Sequence, residues 1–213
     1  MPGTLTTTSP AMISQLVGHK NFVRVNPMSD QFEIKRFHHL ELYCGDASNT
    51  SRRFAWGLGL AQVAKSDHST GNPLYASYVL QSQELVFVFT APYAPPSSSF
   101  PSSSPRHAVP ITNIADAPSS SSSIPHPAFS PTDAAGFFTR HGLAIKAVGI
   151  EVEDAHVAYE KCVAHGGKGV LPAQLLKDVE TGQSMLMSEV MAYPEEEGEV
   201  VLRFVSGGFK GEG

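Results

Sequence analysis

The chain has 213 residues and a formal charge of −5, with 41% hydrophobic and 16% charged residues, a balance that suits an ordinary globular core and one large domain or two small ones. It offers no basic stripe for a nucleic-acid backbone and no run of about 18 apolar residues for a bilayer, so neither nucleic acid nor membrane is expected as a partner. Two cysteines, Cys44 and Cys162, make no disulfide framework, which points to a reducing compartment with the cytoplasm as the default.

Residues 1–34 read as a partly flexible N-terminal extension. They lack the basic and continuous apolar regions of a secretory signal, while their Ser/Thr content and lack of an acid before Asp30 leave a plastid-type targeting segment open. From 35 to 93, FHHLELYC alternates as a strand, Asp46 caps a helix over SNTSRRFAWGLG that Gly57 and Gly59 help to end, and LAQVAKSD, LYASYVLQS and ELVFVFT read as three more strands. Residues 94–131 form a Ser/Pro-rich stretch without apolar periodicity, expected as a disordered connector. From 132 to 206 the pattern returns: AIKAVGIEV as a strand, Asp154 as a cap, HVAYEKCVAHGG as a helix closed by Gly166 and Gly167, then KGVLPAQLL, SMLMSEVMAYP and EVVLRFV as strands. Residues 207–213 read as a flexible tail.

The two halves repeat each other. Setting Asp46 on Asp154 gives an offset of 154 − 46 = 108 and lays Phe54 on Cys162 and Gly59 on Gly167; the terminal strands match at 199 − 84 = 115. Each half is β-α-β-β-β, and the fold class is α+β: two paired modules that bury their inner sheet faces and leave a cupped cavity between the sheets.

Paired modules of this kind resemble the vicinal oxygen chelate fold of glyoxalases, bleomycin-resistance proteins and extradiol dioxygenases. More narrowly, NFVRVNPMSD, RFHHLELYCGDA, RRFAWGLGL, KSDHSTGN, ASYVLQS, VFTAPY, FFTRHGLAIKAVGIEVEDA and VVLRFVS are similar to the N-terminal domain of the plant-type 4-hydroxyphenylpyruvate dioxygenase family. The resemblance runs from about His19 to Ser206. It implies a family activity that converts 4-hydroxyphenylpyruvate and O₂ to homogentisate and CO₂, in tyrosine catabolism and plastoquinone or tocopherol synthesis. It also implies Fe(II) held by two His and one Glu in a second domain. This chain is expected to stop after the first, as a fragment or a stand-alone product.

By the family's pattern the first-strand ligand place falls on His39, and alternation puts Glu41 and Tyr43 on the same face. The repeat partner of His39 is 39 + 108 = 147, Ala147, and the place of a metal-binding carboxylate falls on Arg203, with Val88 at 203 − 115 in the first half. An imidazole, a methyl, an isopropyl and an always-charged guanidinium do not hold a divalent ion. His39, Ala147 and Arg203 are therefore read as vestigial cavity positions, with no metal, cofactor or catalytic residue in this chain and Fe(II) confined to the full-length family. The His38/His39 pair is expected as structural, bonded to a backbone carbonyl or to Glu41, and Arg203 as paired with Glu41 or Glu151. His68 and His141 are assigned to turns, His156 and His165 to helix ends, and His107 and His126 to the connector. Cys44 and Cys162 read as small core residues and Trp56 as a core or interface anchor.

The functional expectation is a dioxygenase-like protein represented by a non-catalytic domain, inactive alone, and partnered as a homodimer or with the missing catalytic domain. The alternative is a stand-alone binding or scaffold protein of the same fold.

Overall fold

The computed structural model describes residues 31–93, 126–177, 182–191 and 200–207. Eight strands and three α-helices follow in the order β1 (Ile34–Tyr43), α1 (Ala47–Leu58), β2 (Ala61–Ser66), β3 (Tyr75–Ser82), β4 (Leu85–Pro92), α2 (Pro131–His141), β5 (Ala144–Val152), α3 (Ala155–Ala164), β6 (Lys168–Lys177), β7 (Ser184–Met191) and β8 (Val201–Ser206). The β-α-β-β-β repeat is present twice. Of the stretch assigned to the connector, residues 94–125 lie outside the described residues, as do most of the N-terminal extension and residues 208–213 of the tail.

Local chemistry accounts for the helix boundaries. Asp46 caps α1 by accepting from the Asn49 amide, and Asp154 caps α3 by accepting from the amides of His156 and Val157. The α1 C-terminus closes on Gly59 at φ 69°, a left-handed conformation that glycine adopts without a Cβ penalty, whereas Gly57 lies inside the helix. The periodicity of the two halves gives no sign of α2, whose start is nevertheless written locally: Ser130 accepts from the Asp133 amide, and Pro131 supplies the first helical residue.

The modules join edge to edge rather than stacking as two sheets. Strands run β2-β3-β4-β1-β5-β8-β7-β6 in one eight-stranded sheet, with β1 antiparallel to β5 at the seam and His39 opposite Gly149, Glu41 opposite Ala147. Within the first module β1 lies parallel to β4, and within the second β5 lies parallel to β8. Leu40 opposes Val148 across the seam, so Leu42 and the alternating Val148, Ile150 and Val152 share one face.

Both repeat helices cover that face. Phe54 of α1 sits with its ring centroid 4.7 Å from that of Phe89, within a cluster of Cys44, Leu60, Leu80 and Ala91. Ala155 and Ala158 of α3 pack on Val152, Val190 and Phe204. The opposite, inner face carries Glu41, Ala147, Glu189 and Arg203 by alternation. One end of that face is closed by α2 and the residues before it, where Phe129, Ala134 and Phe137 pack on Tyr43 and Tyr75.

Trp56 is not core: it is 86% exposed on α1. Phe89→Ala is expected to cost about 3–5 kcal/mol in urea unfolding, while Trp56→Ala changes stability by less than about 0.5 kcal/mol.

Candidate functional site: a buried charge cluster on the inner face

At the centre of the inner face, three strands converge on one guanidinium. Arg203 on β8 is 7% exposed. Its Nη2 lies 2.7 Å from Glu41 Oε2 on β1 and its Nε donates to Glu189 Oε1 on β7 at 2.7 Å. Its Nη1 donates to His39 Nε2 at 3.2 Å. The expected Arg203–Glu41 pair is thus present, while Glu151 pairs instead with Arg36 at 2.7 Å near the surface.

Each partner of the guanidinium is held from behind. Thr90 donates its hydroxyl to Glu41 Oε1 at 2.6 Å, and because that proton is committed, the Ser77 hydroxyl donates to Thr90 at 3.0 Å. His126 Nε2 donates to Glu189 Oε1 at 3.0 Å, and the His126 amide donates to Tyr75 Oη at 3.0 Å. The connector's return into the fold is therefore tied into the cluster, a role not foreseen for His126.

Both rings of the histidine pair are hydrogen-bonded, through different partners from those expected. A guanidinium only donates, so His39 Nε2 accepts, its proton sits on Nδ1, and that group donates to His38 Nδ1 at 2.8 Å. The His38 proton then lies on Nε2. The His39 ring rests over Gly149, where an added Cβ would overlap it; this close approach is the reason for a glycine in the middle of β5.

Electrostatics set the ionisation of the cluster. Burial disfavours charge on Glu189, but the His126 hydrogen bond and the Arg203 charge outweigh it and hold the carboxyl down to about 2. Burial likewise opposes charge on Glu41, and Arg203 leads the interactions that keep its pKa below the usual value. Burial and the adjacent Arg203 charge push His39 from 6.5 to about 3, and burial lowers His38. Arg203 itself is raised: burial opposes its charge, and the two carboxylates overcome that.

The sequence-derived positions His39, Ala147 and Arg203 do meet on this face. Ala147 is fully buried opposite Glu41 and Arg203 binds His39. The residues do not fit a metal ion, since the His39 lone pair and both carboxylates are directed at the guanidinium. Among the described residues no group of three or more His, Cys, Asp or Glu side chains is arranged to hold one. Sequence reasoning missed Glu189, Thr90 and His126. The signal for Glu189 was an acid in the otherwise apolar strand SMLMSEVM.

No protein-family model matches the chain. Curated relatives do: 4-hydroxyphenylpyruvate dioxygenase of Plectranthus scutellarioides is 50% identical over 199 residues, 93% of this chain and 39% of the relative. The proteins of the same name from Daucus carota and Arabidopsis thaliana are 47% and 45% identical, over 94% and 90% of this chain. The chain belongs to the 4-hydroxyphenylpyruvate dioxygenase family. It spans about 39% of the length of the curated relatives it matches first.

Solved structures place the fold in the vicinal oxygen chelate class. A variant of 4-hydroxymandelate synthase from Streptomyces coelicolor superposes with a TM-score of 0.57 over 82% of this chain and 39% of that one, at 18% identity. Methylmalonyl-CoA epimerase from Mycobacterium tuberculosis gives 0.50 over 85% and 94%, at 13% identity. Among the described residues no helix is long and apolar enough to cross a membrane.

The depressed pKa values fix the sign of the pH response. Below 6.5 the unfolded chain protonates His39 and the folded one does not until about 3, so stability is full above 6.5 and falls as pH falls through that window. The Glu189 contribution is lost between 4.5 and about 2. Urea unfolding at stepped pH is expected to show His39 adding up to about 1.4 kcal/mol of lost stability per pH unit below 6.5. His39→Gln removes that component of the slope. Gly149→Ala, which drives a methyl against a ring held at both nitrogens, is expected to cost about 1–3 kcal/mol in the same assay.

Proposed function

We propose that this chain is the supporting, non-catalytic part of a 4-hydroxyphenylpyruvate dioxygenase, the enzyme that converts 4-hydroxyphenylpyruvate and O₂ to homogentisate and CO₂. The observation that carries this reading is Arg203. Its guanidinium occupies the inner face and engages Glu41, Glu189 and His39 together, so the groups able to ligate iron are already committed to a fixed cation. In this reading the two-His, one-Glu Fe(II) centre lies in a second domain. The role of the present fold is to supply a rigid sheet against which that domain, or a second copy of the chain, assembles. The cytoplasm is the compartment that fits the free Cys44 and Cys162, with a plastid as the alternative.

The experiment is direct. Purified chain, supplied with Fe(II), ascorbate and 4-hydroxyphenylpyruvate, is expected to consume no O₂ above the protein-free control and to retain much less than one metal ion per chain after desalting. One tightly held ion per chain, lost on His39→Ala together with O₂ uptake, overturns the proposal.

A further inference from the structure

We propose that the inner face is a preformed guanidinium-binding site that the chain fills with its own Arg203, and not a metal cavity that has lost its ligands. The spacing of the acceptors separates the two. Zinc takes its nitrogen and oxygen donors at about 2.0–2.2 Å from a common point, and even calcium takes oxygens within about 2.6 Å. Here the acceptors address different nitrogens of one planar group, Glu189 at Nε, Glu41 at Nη2 and His39 at Nη1. Each stands one C–N bond plus one contact of 2.7–3.2 Å from the guanidinium carbon, roughly twice the reach of a metal–ligand bond.

The acceptors cannot easily collapse inward. Thr90 holds Glu41 and is itself held by Ser77; His126 holds Glu189; His38 and the close packing over Gly149 hold His39. This second ring of contacts comes from β1, β3, β4, β5 and the residues before α2, so it does not depend on Arg203 for its own geometry. Removing the arginine side chain beyond Cβ therefore leaves a cradle of two carboxyl oxygens and one nitrogen spaced for N–H donors. Its ligand class is a small alkylguanidinium, a planar cation that satisfies several acceptors in fixed directions where an ammonium is a point charge. The inference rests on this geometry and is independent of whether the family's dioxygenase activity resides elsewhere.

The test is chemical rescue. Arg203→Ala is expected to lower the melting temperature, and ethylguanidinium, which replaces the atoms lost, is expected to recover at least half of the loss saturably at millimolar concentration. The parent protein shows no such rise. Ethylammonium, Mn²⁺ and Zn²⁺ recover less, and adding Glu189→Gln to Arg203→Ala removes the ethylguanidinium effect. Rescue by Mn²⁺ or Zn²⁺ equal to or greater than that by ethylguanidinium identifies a metal cavity and overturns the proposal, as does a folded variant that no cation stabilises. Should Arg203→Ala not fold unaided, its refolding yield from urea is compared in ethylguanidinium and ethylammonium. A higher yield in ethylguanidinium supports the site, and equal yields overturn it.

Discussion

The pairing of Arg203 with Glu41 and Glu189 is the constraint on which the inner face depends. Three charges are withdrawn from water together, and each costs several kcal/mol to desolvate, so the arrangement persists only because every charge meets an opposite one at 2.7 Å. Removing Arg203 leaves both buried carboxylates without their cation, at a cost of about 3–5 kcal/mol. Glu41 belongs to the first module and Arg203 and Glu189 to the second, so the cluster crosses the β1–β5 seam and joins the two modules beside the strand pairing, the Arg36–Glu151 pair and the packing of Phe129 and Phe137 on Tyr43 and Tyr75. It also fixes register. A one-residue slip of β8 would turn Arg203 into the apolar layer under α3, where Phe204 now packs with Val190 and Val152.

The two faces of the sheet are built on different principles. Under α1 and α3 the contacts are apolar, with Phe54 on Phe89 and the small residues Ala155 and Ala158 admitting α3 close to the strands. The inner face is polar at its centre and apolar at the end sealed by Phe129 and Phe137. His126 stands where these regions meet, bonded to Glu189 and, through its amide, to Tyr75. The outer strands β2 and β6 end the sheet with Lys65, Lys168, Lys177 and Pro172, residues that discourage further strand addition.

Family membership and site chemistry carry different information. The relatives share the chain's sequence at 45–50% identity over 90–94% of its length, while the solved neighbours, at 18% and 13%, share its fold alone. A common scaffold does not fix a common chemistry. On the inner face of this one, two carboxylates and the His39 imidazole are the groups available as ligands, and one guanidinium engages all three.

Much of the architecture was legible from short-range patterns. Alternation in FHHLELYC and AIKAVGIEV and the caps Asp46 and Asp154 depend on neighbours within a few residues, and their recurrence in the two halves yielded the doubled β-α-β-β-β order; the family's pattern placed Arg203 and left its partner open between Glu41 and Glu151. The sequence reading did not reach α2, whose Ser-Pro start lay at the end of a low-complexity stretch without a long apolar run. Nor did it reach Glu189, Thr90 or His126 as members of one cluster, because Glu189 and His126 are 63 residues apart and Thr90 and Glu41 are 49 apart. Only strand order and register bring such residues together. The sequence by itself determined the strands and two helices of the repeat and the alternation of faces along its first strands; the tertiary structure decided which charges meet, because that depends on which strands become neighbours across the seam.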